Sequence, residues 1–154
     1  MEPDPKPHYR KPGRFTRRVF NPLVAALTRS GISVMGSRVL EVTGRVSGLP
    51  QRVPVNLLSF EDRYYLVSAR GTGQWVRNVR AAGGRLDLLL GRKRQHVVAT
   101  ELPDADKPPV LRAYLRRWKA EVGVFFDGVT ADSGDDELLA IGPRHPVFVL
   151  EMVS

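Results

Sequence analysis

Apolar positions change their spacing along this chain, and the changes mark out its elements. From Arg14 onward, Phe15, Val19, Phe20, Leu23, Val24 and Leu27 recur at helical spacing. Asn21-Pro22 reads as a break, then an N-cap and first helical position, so the pattern predicts a helix to about Ser30, stopped by Gly31. Residues 1–13 hold four prolines and read as a flexible arm, with an amphipathic helical segment over 14–34. Beyond it the period shortens to two. Val39 to Thr43 is a strand ended by the turn Gly44-Arg45-Val46-Ser47-Gly48-Leu49-Pro50. Arg52 to Phe60 and Arg63 to Ala69 read as a hairpin turning at Glu61-Asp62, and Leu86 to Leu90 with His96 to Leu102 as a second. Helical spacing returns over Gln74 to Ala82, closed by Gly83-Gly84, and again after Asp106, where Leu111, Tyr114, Leu115, Trp118 and Val122 share one face up to Gly123. A short helix, Asp135 to Ile141, precedes a last strand, Pro146 to Met152. Antiparallel strands with helices set between them predict an α+β barrel or rolled sheet without a βαβ series.

The chain has 154 residues and no cysteine. One domain of this size buries an adequate core without staples, and the lack of thiols excludes disulfides, Cys-ligated metals and a thiol nucleophile. No apolar run approaches the length of a membrane span. The acidic, proline-broken start is unlike a secretory signal, so a cytoplasmic location is expected. Charge is uneven: residues 1–118 hold 22 basic and 9 acidic side chains, and residues 119–154 hold 2 and 7. An arginine-rich field of this kind suits nucleic acid, an anionic membrane face or a small polyanion. A GC-rich genome would also raise arginine content without any partner. Arg14, Arg17, Arg18 and Arg29 give the N-terminal helix a basic face. That face fits solvated arginines over a core helix, a contact with the inner membrane surface, or a cover over a ligand.

Two glycine-framed turns carry the candidate chemistry. In Gly44 to Gly48 the glycines free backbone N–H groups to converge, and Arg45 and Ser47 can donate to an anion. The loop lacks the Gly-Lys-Ser/Thr ending of a Walker motif. Arg70-Gly71-Thr72-Gly73 runs from a strand into a helix N-terminus, another place that favours anions. Val76 stands where a dinucleotide fingerprint needs its third glycine, so the Rossmann reading fails. His8, His96 and His145 show no metal-ligand spacing, no serine sits in a Gly-x-Ser-x-Gly elbow, and no catalytic residue or metal site stands out. Asp132, Asp135, Asp136 and Glu137 read as a solvated loop and helix cap.

Read in order, these segments resemble a known family. Thr43-Gly44-Arg45-Val46-Ser47-Gly48-Leu49-Pro50 with Arg52 and Pro54 is similar to the opening signature of the deazaflavin-dependent nitroreductase/quinone reductase family. Val67-Ser68-Ala69-Arg70-Gly71, then Trp75-Val76-Arg77-Asn78, resembles its second signature, and His145 to Glu151 its last strand. The likeness covers roughly residues 35–152 and implies a single-domain split β-barrel, antiparallel and FMN-binding-like, over 35–154 with flanking helices. It implies coenzyme F-420, a deazaflavin with a phosphate and an oligoglutamate tail, as the cofactor, and hydride transfer to a small quinone, enone or nitro compound as the reaction. Carried over residue by residue, the family's phosphate-side groups fall on Arg45 and Ser47, and its strand-end basic residue and glycine on Arg70 and Gly71. The tryptophan and asparagine of the next helix, which lie near the ring, fall on Trp75 and Asn78, the proline beside the ring on Pro54, and Arg52 completes the set. The chain departs from the pattern at Val46, at Ala69 and in lacking C-terminal tyrosines, for which it offers Phe125 and Phe126. The same barrel with FMN or a haem-type ligand is the alternative enzyme reading. A basic nucleic-acid module is disfavoured because the arginines are scattered over strands and turns. A non-catalytic membrane-surface protein is the third reading, and the family likeness leaves room for a homodimer.

Overall fold

Alternation of buried and open positions in Ser37–Thr43 sets the frame: Leu40 and Val42 face one side of a strand and Val39 and Glu41 the other. The computed structural model describes residues 36–153, so the arm and the amphipathic segment of residues 14–34 lie outside it. The strands are β1 (Ser37–Thr43), β2 (Pro50–Asn56), β3 (Leu58–Phe60), β4 (Arg63–Val67), β5 (Arg85–Leu90), β6 (Lys93–Glu101) and β7 (Val147–Val153). The helices are α1 (Gln74–Ala81), α2 (Pro108–Val122) and α3 (Asp135–Ile141). All seven strands form one antiparallel sheet in the order β2-β1-β5-β6-β7-β4-β3.

The order itself forces the sheet to roll. Its two edge strands, β2 and β3, are consecutive in sequence and separated by Leu57 alone. Laid flat, seven strands would hold those edges about 29 Å apart at about 4.8 Å per step, whereas one linking residue spans only a few ångströms. The edges must therefore meet, and the result is a split β-barrel. The continuous strand expected over Arg52 to Phe60 is divided here: β2 pairs with β1, β3 pairs with β4, and the Leu57 N–H donates to the Gly36 carbonyl at 3.0 Å. The turn at Glu61-Asp62 falls where the pattern placed it, with both residues at positive φ, as a tight hairpin with right-handed strand twist requires.

Two apolar cores follow from the roll. Inside it, Leu40, Leu66, Leu86, Leu88, Val97, Phe148 and Leu150 pack with Val76 and Val79 of α1. On the outer side of the β3-β4-β7 end, Leu58, Tyr65, Val67 and Val147 pack against Leu111, Leu115 and Trp118 of α2, Leu138 of α3, and Phe126. The helix face foreseen from spacing is thus the buried one, although α2 kinks at Trp118. Lys107, only 3% exposed, secures this layer by donating to the Gly142 carbonyl and pairing with Asp104, each at 2.8 Å. Arg112 ties α2 to the acidic loop through the carbonyls of Ala131 and Ser133 and the carboxylate of Asp135. Asp135, Asp136 and Glu137 occupy the first turn of α3, as a helix-capping cluster should. No described helix is long and apolar enough to cross a membrane.

Candidate functional site

The turn that joins β1 to β2 is closed on itself. Gly44 N–H donates to the Leu49 carbonyl at 2.8 Å, Gly48 N–H to the Gly44 carbonyl at 2.9 Å, and Leu49 N–H to Ser47 Oγ at 3.1 Å. A Cβ at Gly44 would lie 2.8 Å from Ser47 Oγ and 3.2 Å from the Leu49 carbonyl oxygen, so the turn would have to shift to take one. Gly48 sits at φ +75. The turn is anchored to α1 by one buried amide: Asn78 Oδ1 accepts from Arg45 N at 3.0 Å and from Arg45 Nη1 at 2.8 Å. The N–H groups of Val46 and Ser47 make no hydrogen bond among the described residues, and both residues are exposed. Two successive free N–H groups beside a fixed guanidinium and a serine hydroxyl make a small anion cradle. A phosphate-bearing group fits that donor set chemically.

The second turn is built differently. Ser68 Oγ donates to the Gly71 carbonyl, Gly71 N–H donates to the Ser68 carbonyl at 3.4 Å, and Gly71 itself stands at φ +92. His145 supports the same place from behind. It is fully buried, stacks on Phe126 with centroids 4.0 Å apart, and donates from Nδ1 to the Ser68 carbonyl at 3.1 Å. Arg70 lies over the ring of Phe125 at 4.4 Å. His145 is therefore a core histidine, held at Nδ1 by the Ser68 carbonyl. Its link to Ser68, and the Phe125 platform under Arg70, are contacts between distant segments that no local motif announces.

The candidate residues therefore do not form one cluster. Arg45, Ser47 and Asn78 meet at the first turn; Trp75, one helical turn before Asn78, is half-buried against Phe148 at 5.9 Å. Arg70 and Gly71 lie at the entrance to α1, whose N-cap Gly73 supplies no side-chain cap. Arg52 and Pro54 stand across from Glu41 and Val39, on the sheet face opposite to Leu40 and Val53. Arg52 is engaged there with Glu41 at 2.8 Å.

That outer face carries a chain of charges that sequence reading passed over. Arg94 bridges Glu41 at 2.6 Å and Asp87 at 2.5 Å, and His96 Nδ1 donates to Asp87 at 2.7 Å. The Arg94 hydrogen bond, aided by Arg52 and opposed by burial, holds the Glu41 carboxyl below its ordinary pKa. Burial works against ionisation of Asp87, but hydrogen bonds from His96 and Arg94 outweigh it and lower its pKa too. Carboxylates with depressed folded-state pKa values add stability above their unfolded values, at roughly pH 4, and lose it as pH falls through the folded ones. Denaturant titrations across that acid range are expected to show stability falling less steeply in Glu41→Gln than in the parent chain; equal slopes would mean that the network contributes nothing to acid stability.

The chain is similar to proteins of known family and fold. Residues 16–129 match the family described as F420H(2)-dependent quinone reductase. A solved structure of an F420-H2 dependent reductase (FDR-A) is 20% identical, with TM-score 0.51, over 75% of this chain and 94% of its own. A second, described as a domain-swapped dimer, is 19% identical, with TM-score 0.52, over 89% of this chain and 97% of its own. No curated protein matches the chain. At these identities the two structures share the fold.

Proposed function

Given that the chain belongs to the F420H(2)-dependent quinone reductase family, and so is an oxidoreductase that works with coenzyme F-420, we propose that the β1–β2 turn holds the coenzyme's phosphate and that the electrophile is a planar quinone-like compound. The observation that carries this reading is the anion cradle: free N–H groups at Val46 and Ser47 beside an Arg45 that Asn78 fixes twice. When bound, the coenzyme supplies a hydride from its ring, so the protein needs no side-chain nucleophile. The protein's own work is binding, orientation and exclusion of water. Arg45 and Ser47 would hold the phosphate and start of the tail. Trp75, fixed against Phe148, would set one wall of the ring site, and Arg70 on its Phe125 platform would face the anionic end of the reacting pair. Arg52 and Pro54 would meet the coenzyme only where it crosses to the outer face.

The split barrel could hold FMN with the same turn, so the two ligands must be compared. F-420 carries more negative charge, and an arginine-anchored cradle favours it. Fluorescence titration at matched, low ionic strength is expected to show F-420 bound more tightly than FMN, with the difference shrinking as salt is added. Equal or tighter FMN binding would overturn the cofactor assignment for this site. A homodimer belongs to the same proposal, and sedimentation of the full chain decides it. A contact between residues 14–30 and lipid would show as cosedimentation with anionic vesicles that is lost on their deletion.

A further inference from the structure

The turn that carries Arg70 is braced from the start of the last strand. Ser68 commits every polar group it has. Its N–H donates to the Pro146 carbonyl at 2.9 Å and its hydroxyl to the Gly71 carbonyl. Its own carbonyl accepts from His145 Nδ1 at 3.1 Å and from Gly71 N–H at 3.4 Å. The second of these bonds is at the long limit, so His145 is the stronger partner. Gly71 ends the turn at φ +92, and its carbonyl accepts from Gly73 N–H at 3.0 Å where α1 begins. The His145 ring is fully buried and lies nearly parallel to Phe126, with 4.0 Å between centroids and 13° between planes. Phe125, the residue before, is the platform under Arg70, 4.4 Å from the guanidinium carbon. One imidazole thus refers to both ends of the Arg70 side chain: the backbone it leaves, through Ser68, and the ring it rests on, through Phe126. A phenyl ring would fill the same place without the cost of burying a polar one. What it lacks is the donor at Nδ1.

We propose that His145 is a positioning residue for the reaction: by fixing the Ser68–Gly71 turn and the Phe126–Phe125 platform, it holds Arg70 toward the oxygen of the quinone-like electrophile. The inference rests on the reading of Arg70 given above and adds what keeps that side chain in place. An electrophile that accepts a hydride takes up two electrons and one proton, and stays an anion until a second proton arrives from solvent. The electron pair and both protons trace to the reduced coenzyme, one proton passing by way of solvent. A guanidinium already held beside that oxygen stabilises the growing charge without reorganising during the step. On a loose turn, Arg70 would first have to be ordered.

Two variants of the full chain separate the ring from its donor. His145→Phe keeps a ring to stack on Phe126 and removes the donor; His145→Asn keeps an amide N–H near the Nδ1 position and removes the ring. The first readout needs no coenzyme. In NMR spectra the Arg70 side-chain protons are expected upfield, under the ring current of Phe125; they should return toward ordinary values in His145→Phe and stay displaced in His145→Asn. The second readout is kinetic. A misplacement of about 1 Å costs up to roughly 100-fold, so His145→Phe should lower kcat for quinone reduction about 10- to 100-fold. KM for F-420 should hold, because the Arg45 cradle is untouched. His145→Asn should recover most of the loss, and His145→Phe should add nothing to Arg70→Ala. Unchanged Arg70 resonances and kcat in His145→Phe, with Arg70→Ala impaired, overturn the positioning role. Equal losses in His145→Phe and His145→Asn reduce His145 to core packing and overturn it too. Should His145→Phe fail to fold, Phe125→Leu must lower kcat at an unchanged KM for F-420, or the proposal fails. Turnover indifferent to Arg70→Ala overturns instead the reading of Arg70 on which the proposal rests.

Discussion

Asn78→Ala will lose affinity for F-420 as steeply as Arg45→Ala, and the double variant will bind no worse than either. Family likeness alone gives Arg45 to the anion and Asn78 to the ring. The structure joins the two, because a single oxygen of Asn78 accepts both the backbone N–H and a guanidinium N–H of Arg45. An exposed arginine has roughly 2 kcal/mol of side-chain entropy to lose on binding an anion. Asn78 removes part of that freedom beforehand and also fixes the backbone from which the Val46 and Ser47 N–H groups project. Without the amide the cradle still has its donors, but they no longer converge.

A charge-assisted hydrogen bond contributes about 1.5–3 kcal/mol, so each single variant should bind the coenzyme about 10- to 150-fold more weakly. The phosphate would lie away from the reacting carbon, so this binding is common to ground and transition states: KM for the coenzyme should rise while kcat holds. Raising the salt should shrink the difference from the parent chain. Trp75→Ala is the contrast, with a fall in kcat as the wall of the ring site is lost. Steady-state kinetics of the four variants, with a double-mutant cycle for the pair, makes the comparison. If Asn78→Ala lowers kcat at an unchanged KM, Asn78 serves the ring and not the turn. Circular dichroism should show an intact fold, since the freed Arg45 N–H can turn to water.

How much of this was open to sequence reading depends on whether the signal is local. The turns at Gly44 and Glu61-Asp62, the apolar face of α2 and the acidic start of α3 were legible because each follows from spacing or backbone geometry within a few residues. The division at Leu57 was not, because the apolar run Leu57-Leu58 gives no local reason for one strand to leave β1 and the next to join β4. Strand parity decides the faces, and it hangs on register: a shift of one residue would have turned Arg52 and Pro54 inward. Pairings between distant segments, Arg45 with Asn78 and His145 with Ser68, have no one-dimensional trace at all. The Glu41–Arg94–Asp87–His96 chain was hidden for the same reason, since three strands supply it.

Gly84→Ala will cost far more stability than Gly83→Ala, although the two glycines are adjacent and both stand at positive φ, +85 and +67. In the sequence they look like one helix stop. In the structure Gly83 has open space where a Cβ would go, so its substitution should cost only the left-handed strain, about 1–2 kcal/mol. Gly84 is pinned on both sides: its N–H donates to the Val79 carbonyl at 2.9 Å and its carbonyl accepts from Ala99 N–H at 2.8 Å. A Cβ at Gly84 would sit 2.2 Å from the Ala99 carbonyl oxygen, which belongs to the backbone of β6 and cannot swing away. Relief requires β5 and β6 to part at the point where α1 hands the chain to the sheet. Adding about 1–3 kcal/mol for that overpacking gives roughly 2–5 kcal/mol in all, against a total stability of about 5–15 kcal/mol. At about 2–4 °C per kcal/mol for a chain of this size, Tm should fall by roughly 4–20 °C for Gly84→Ala and by less than about 8 °C for Gly83→Ala. Thermal denaturation of the two single variants beside the parent chain checks the order. Equal losses would mean that the β5–β6 ladder yields at Ala99, and that the close approach at Gly84 is not what holds α1 to the barrel.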